Sequence, residues 1–269
     1  MLIALTRELT PSLATDCELT HLERNPIDLA RARDQHARYR RTLSELGARV
    51  IHVPSPDELA DAVFIEDTLL AFDETLILPR VGAASRRPES DGVRKAVLEL
   101  GIPVFEMTGR GTLDGGDVLR IGRNGKTVLV GLSTRTTREG IEELASCLQP
   151  HGYRVRGIEV PSCLHLKTAC SALSDDTVLL NPAWVSPGAF EEYRVLEVDP
   201  AEPFAGNSLT IGDTLLYSSF HPRTRERLAR RGFEPRILDI SELEKAEAGL
   251  TCLSVVFDAK PLGRATLGP

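Results

Sequence analysis

The side chains best suited to chemistry in this 269-residue chain are one cysteine, one histidine and several acids. Cys252 stands in Ala248-Gly249-Leu250-Thr251-Cys252-Leu253-Ser254, between a polar segment and a C-terminal apolar run. A thiolate there could attack an electrophilic carbon if a cation, a histidinium or local amides lower its pKa. The alternative is an inert thiol at the start of a strand. His165, in Leu164-His165-Leu166-Lys167, would point opposite its two leucines if the segment is a strand, and could then exchange protons in a pocket or simply meet water. In Gly111-Thr112-Leu113-Asp114-Gly115-Gly116-Asp117, two acids flank a glycine pair that permits a tight turn. Asp61-Ala62-Val63-Phe64-Ile65-Glu66-Asp67 gathers three more acids; extended backbone would put Asp61 and Asp67 on one face and Glu66 on the other. Buried carboxylates need donors or a cation, so a guanidinium or ammonium ligand would suit them, as would a protein arginine. Arg86 and Arg135 could each hold a carboxylate through paired donors or form a surface salt bridge. Together these groups describe a site for a zwitterionic ligand.

The elements that must position them repeat. One unit runs from a strand at Val63-Phe64-Ile65 through Thr75-Leu76-Ile77-Leu78, a helix from Glu89 to Leu100 stopped by Gly101, and a strand at Pro103-Val104-Phe105. A second takes Asp117-Val118-Leu119, Thr127 to Val130, a helix carrying Ile141, Leu144, Ala145 and Leu148, and a strand from Tyr153 to Val160. A third begins at Ala169-Cys170, continues with Thr177 to Leu180 and starts a helix at Ser186-Pro187, where serine can cap and proline fits the first turn. A fourth passes from Asn207 through Leu215-Leu216-Tyr217 and a Pro222 helix start to Arg236–Ile240. The fifth requires both chain ends: Leu253 to Phe257, Leu2 to Leu5, the helix Leu29 to Leu46 with its stripe of Leu29, Ala32, His36, Tyr39, Leu43 and Leu46, and Arg49 to Val53. Closing five units protects the edges an open repeat leaves exposed. The expectation is a single α/β domain over 1–269, a five-bladed pseudosymmetric α/β propeller closed by its N- and C-terminal elements; a mixed α/β sandwich is the rival. Ser241 and Glu244 fit a capping box whose helix would run through Glu247 and leave Cys252 on the loop before the last strand.

Composition removes other classes. With 39 acidic and 32 basic residues the formal net charge is -7, which argues against a nucleic-acid backbone binder. No apolar run reaches a membrane span, and Arg7 and Glu8 stand where a signal peptide would be apolar, so a cytoplasmic location is expected. Five cysteines, at 17, 147, 163, 170 and 252, form no CxxC pair and no even disulfide framework, and the cysteine, histidine and acids lack a short zinc-ligand spacing. The glycine-rich segment is neither a Walker A loop nor a dinucleotide fingerprint.

These segments, with Ser85-Arg86-Arg87, Gly131-Leu132-Ser133-Thr134-Arg135-Thr136 and Leu250-Thr251-Cys252-Leu253-Ser254, resemble in order and over almost the whole chain the dimethylarginine dimethylaminohydrolase family of the pentein superfamily. The resemblance implies the five-bladed propeller with a central site and assigns Cys252 as nucleophile, His165 as acid/base and Asp114 as its orienting partner. It also implies that Asp67 grips the guanidinium beside Glu66, Asp61 helps bind the α-amino group, Arg86 and Arg135 bind the α-carboxylate, and Leu19 closes a lid. Ala246 and Glu247 stand where relatives tend to have a larger aliphatic residue and aspartate, a departure that bears on the amino-acid pocket. The implied partner is a small guanidino amino acid, with no cofactor and no metal; a homodimer is compatible with the resemblance. The implied reaction is attack of the Cys252 thiolate on the guanidinium carbon, loss of methylamine or dimethylamine, and hydrolysis of an S-alkylthiouronium intermediate to citrulline. An arginine deiminase, an amidinotransferase and a non-catalytic binding or assembly protein of the same fold are the alternatives.

Overall fold

The structure, a computed structural model, describes residues 1–122 and 124–259; the last part of the expected domain range, 260–269, lies outside the described residues. In chain order the first elements are β1 (Leu2–Thr6), α1 (Leu13–Asp16), α2 (Leu29–Glu45) and β2 (Arg49–His52). Next come β3 (Leu70–Ala71), β4 (Leu76–Leu78), α3 (Glu89–Glu99) and β5 (Val104–Glu106), then β6 (Val118–Ile121), β7 (Thr127–Leu132), α4 (Arg138–Leu148) and β8 (Arg154–Glu159). The last stretch holds α5 (Leu166–Ala169), β9 (Cys170–Ala172), β10 (Thr177–Leu180), β11 (Arg194–Glu197), β12 (Leu209–Ile211), β13 (Thr214–Ser218), α6 (Pro222–Arg230), β14 (Arg236–Leu238), α7 (Ser241–Glu244) and β15 (Val255–Asp258).

These strands form five three-stranded sheets of one design: β3-β4-β5, β6-β7-β8, β9-β10-β11, β12-β13-β14 and β15-β1-β2. In each, the first strand pairs antiparallel with the middle one, and the middle one pairs parallel with the third. A parallel pair needs a crossover, supplied by α2, α3, α4 and α6 and, in the third unit, only by a 3-10 turn at Pro187–Phe190. The fifth sheet joins the chain ends, with Leu2 opposite Asp258 and Leu5 opposite Val255.

The middle strands are the most buried: Leu76, Ile77 and Leu78, Val128 to Val130, and Val178 to Leu180 are almost fully enclosed. Such continuous apolar runs are what a strand covered on both faces requires. The first strands of all five sheets border one cavity of about 480 Å³. The helices cover the outer sides: α2 buries Ala32, His36, Tyr39 and Leu43, and its N-cap Asp28 accepts from the amides of Ala30 (3.0 Å) and Arg31 (3.1 Å).

The repeat boundaries read from sequence hold to within a few residues, and the exceptions fall beside the chemistry. Val63-Phe64-Ile65 is a turn leading into a 3-10 helix at Ile65–Thr68, so the first strand of that unit is only Leu70–Ala71. Asp117 closes a 3-10 turn before β6, and His165 is the extended residue preceding α5 rather than part of a strand. Ser186 makes no capping hydrogen bond, and α7 ends at Glu244 with its first amide bonded by Asp239 (3.0 Å), not by a serine capping box. Among the described residues no helix is long and apolar enough to cross a membrane, and all five cysteines are free thiols.

Candidate active site

Three short turns bring the acids, the histidine and the cysteine together. Ile65–Thr68 carries Glu66 and Asp67, Gly115–Asp117 follows Asp114, and Thr251–Leu253 carries Cys252. The turns must touch, which accounts for the glycines: a Cβ on Gly115 would lie 2.0 Å from the carbonyl oxygen of Glu66, and one on Gly116 2.6 Å from Nδ1 of His165.

His165 is buried, with Nε2 3.1 Å from Oδ2 of Asp114 and 3.9 Å from Oδ1 of Asp67. Burial alone would favour the neutral imidazole. The charge on Asp67, the hydrogen bond to Asp114 and the charge on Asp117 outweigh it and raise the ring to about 9. At neutral pH it is an imidazolium. Asp114 is fixed in turn by the Gly82 amide, which donates to Oδ1 (2.7 Å), and by its own amide bonded to Oγ1 of Thr136 (3.1 Å).

Asp67 is held ionised in the same cluster. Burial opposes its charge, but His165 and Arg86 bring its pKa down to about 2; Nη1 of Arg86 donates to Oδ2 (2.6 Å) and the Gly116 amide to Oδ1 (2.8 Å). Glu66 faces the other way, accepting from Lys167 at Oε1 and from Oγ1 of Thr251 at Oε2 (2.8 Å). Its pKa is raised by burial, against the pull of Lys167. The 3-10 turn sends Glu66 and Asp67 to different partners, a separation that extended backbone would also have given.

Cys252, Glu66, His165, Lys167, Asn207 and Gly249 line one cavity of about 960 Å³. Sγ of Cys252 accepts from the Gly249 amide (3.3 Å), yet burial and the charges of Glu66 and Asp67 push the thiol up to about 12. Without a ligand the cysteine rests as the thiol. The Glu66-Lys167 pair also borders the smaller cavity, so it stands between the two spaces.

Asp61, Arg86, Arg135 and Leu19 do not line the larger cavity. Asp61 accepts from the amide of Glu18 (3.1 Å), and Nη2 of Arg135 donates to Oε2 of Glu18 (3.0 Å) while its Nη1 is buried with no partner. Leu19 and Ala246 pack with Cys252 on the core beneath α2. Glu247, one of the cavity-lining residues, has a φ of 60° and turns Oε1 toward residues 20–22, where the amides of Thr20 (3.0 Å), His21 (2.5 Å) and Leu22 (2.6 Å) all donate to it. Arg86 departs most from expectation. It is buried in a 3-10 turn, and all three nitrogens are engaged: Nε and Nη2 with Glu89 (3.0 and 2.9 Å), Nη1 with Asp67, and Nη2 also with the Phe64 carbonyl (2.9 Å). A guanidinium so enclosed presents no free fork to a carboxylate.

Several positioning residues escape a reading of sequence. Asp117 accepts from the Leu166 amide (2.8 Å), Ser133 (2.6 Å) and Thr136 (2.7 Å), fixing the residue after His165. Asn207 links the Lys167 carbonyl (3.0 Å) to Oγ1 (3.0 Å) and the amide (3.2 Å) of Thr251. Tyr39 donates to the Leu250 carbonyl (2.9 Å) and shares a hydrogen bond with Ser254 (2.7 Å), bracing both sides of the turn that carries Cys252. Asp67, Asp114 and His165 offer ligand atoms within 4.8 Å of one another, an arrangement a cation could use, although Arg86 already supplies positive charge to Asp67.

A five-sheet α/β fold with a cysteine, an acid-bound histidine and Glu66 on one cavity, and Asp67 beside the histidine, fits the class of guanidino-modifying enzymes. The family model described as arginine deiminase matches residues 56–210. More narrowly, the chain belongs to the dimethylarginine dimethylaminohydrolase family. It is 41% identical over 253 residues to the N(G),N(G)-dimethylarginine dimethylaminohydrolase of Streptomyces coelicolor, covering 94% of this chain and 95% of that one. It is 30% identical over 250 residues to the enzyme of that name from Pseudomonas aeruginosa, covering 92% and 97%. The solved structure of a cysteine-to-serine variant of the Pseudomonas aeruginosa enzyme, complexed with citrulline, superposes with a TM-score of 0.87 at 29% identity, covering 94% of this chain and 98% of that chain.

Proposed function

We propose that this protein hydrolyses the guanidino group of free Nω-methylated arginine, asymmetric dimethylarginine or monomethylarginine, to citrulline and dimethylamine or methylamine, as a single catalytic domain whose five sheets close into a propeller. The observation that carries the reading is the convergence of Cys252, Glu66 and the Asp114-bound His165 on one cavity, with Asp67 3.9 Å from the imidazole. Closure of the ring is supported by the β15-β1 pairing and by the five first strands around one cavity.

The electrostatics suit a cationic substrate. Glu66 and Asp67 raise the Cys252 thiol, so a guanidinium seated against them offsets that effect and releases the thiol proton to solvent. The thiolate attacks the guanidinium carbon. His165, protonated at neutral pH, gives its proton to the departing amine, leaving a cationic S-alkylthiouronium on Cys252. The neutral imidazole then takes a proton from water attacking the same carbon, and collapse of the adduct expels the thiolate and forms the urea group of citrulline. Asp114 orients His165, and Asp67 and Glu66 hold the cation. In this reading Arg135 receives the α-carboxylate and Asp61 the α-amino group, under a lid carrying Leu19 and tied by Glu247 beside Ala246; Arg86 acts by keeping Asp67 charged.

Citrulline release from arginine, N-monomethylarginine and asymmetric dimethylarginine at equal concentration, with Cys252→Ser alongside, tests the proposal. Turnover of the methylated substrates that disappears in Cys252→Ser is expected; substantial citrulline formation by that variant removes Cys252 as nucleophile. The match to the arginine deiminase family model favours one second reading, release of ammonia from arginine by the same chemistry, which a preference for unmethylated arginine would establish.

A further inference from the structure

The two groups assigned to the amino-acid head of the substrate are both occupied from within the chain, and by one residue. The backbone amide of Glu18 donates to Oδ2 of Asp61 (3.1 Å), and its carboxylate accepts from Nη2 of Arg135 (3.0 Å) and from the hydroxyl of Ser85. Glu18 immediately precedes Leu19 on the segment that Glu247 ties down. Burial works against its ionisation, but the Ser85 hydrogen bond and Arg135 prevail, so its carboxyl lies below the usual range.

We propose that Glu18 is a specificity-determining residue that fills the amino-acid head subsite, and that a substrate enters by exchanging its own α-ammonium and α-carboxylate for the amide and carboxylate of Glu18. The inference rests on the functional reading above. The exchange favours a free amino acid for two reasons. Glu18 offers Asp61 a neutral amide, whereas the substrate offers a full positive charge. Glu18 also leaves Nη1 of Arg135 buried without an acceptor, and a carboxylate placed across the fork satisfies both terminal nitrogens. A ligand without the α-carboxylate has nothing to exchange for the Glu18 carboxylate and leaves it on Arg135. Glu18 therefore sets the apparent affinity of guanidino compounds that carry the α-carboxylate and leaves that of compounds lacking it unchanged.

Glu18→Gln keeps the size of the side chain and removes the charge. Steady-state kinetics on N-monomethylarginine and on its decarboxylated analogue are compared in the parent and the variant, together with calorimetric binding of free arginine. The KM for N-monomethylarginine is expected to fall roughly three- to tenfold, the range for relieving a partly exposed ionic competitor, while that for the decarboxylated analogue does not fall. An unchanged or higher KM for N-monomethylarginine, or an equal fall for both compounds, overturns the inference. If the parent turns over no guanidino amino acid, the functional reading fails and calorimetry decides: tighter binding of arginine by Glu18→Gln upholds the competition, and equal affinity or no binding overturns it.

Discussion

At the scale of single residues, the chemistry depends on opposing demands inside one cluster. Asp67 and Asp114 hold a proton on His165, while Asp67 and Glu66 hold the proton on Cys252. In the proposed mechanism such a site is at rest until a cation arrives, which restricts thiolate formation to the moment of binding. The sign of one consequence is fixed. His165 is raised to about 9, so its imidazolium persists at neutral pH and is lost as pH rises through that value. Asp114→Asn removes a charge that favours the imidazolium, so the alkaline limb of kcat is expected to move down by about one pH unit. A limb that stays in place, measured from neutral to alkaline pH, would show that Asp114 does not act through His165. The types of these residues were legible in sequence because cysteine, histidine and clustered acids are conspicuous. Their partners were not. Asn207 and Thr251 lie 44 residues apart and Tyr39 and Leu250 lie 211 apart, and no local pattern announces such hydrogen bonds. Arg86 shows the limit from the other side: its suitability for a carboxylate was evident, but not that Asp67 and Glu89 would enclose it.

At the scale of elements, regular structure was readable and the irregular turns were not. Strands and helices announced themselves through apolar runs and helical spacing, as in Thr127–Leu132 and Arg138–Leu148. Val63-Phe64-Ile65 looked the same as a strand, yet its buried side chains belong to a turn, because tertiary contacts with the Gly115 turn decide the backbone there. The groups proposed as catalytic lie in or beside such turns while the sheets behind them stay regular. The helix α2 reaches into this arrangement through Tyr39, whose hydroxyl holds the residues on both sides of Cys252. Tyr39→Phe should lower stability by about 1–2 kcal/mol for the lost buried hydrogen bonds. If the brace positions the thiol, kcat falls roughly tenfold with little change in KM. A lower melting temperature with kcat intact would make Tyr39 a packing residue only.

At the scale of the whole molecule, the five sheets share one connectivity, and only the fifth is assembled from both ends of the chain. Its middle strand, β1, takes β15 on one side and β2 on the other. A chain ending at Ser254 retains Cys252 but leaves one edge of β1 bare and, by losing Val255 and Phe257, uncovers Ile3, Leu5 and Leu76, with which they share a core. Such a chain is expected to lose cooperative thermal unfolding and to associate through the open edge. A monomeric shortened chain that still unfolds cooperatively and releases citrulline would show that the β15 pairing is dispensable.

The same pairing has a consequence for how the protein is made. Met1 and Asp258, joined by a salt bridge at 2.6 Å, are 257 residues apart. On the ribosome β1 is made before β15 and waits for it, while the four sheets that lie between them in sequence can form from contiguous chain. Cys252 emerges just before that last strand. Cys252 therefore joins a scaffold in which His165, Asp114 and both acids of the 66–67 turn have already been made, and a nascent chain arrested short of it carries those acids without that thiol.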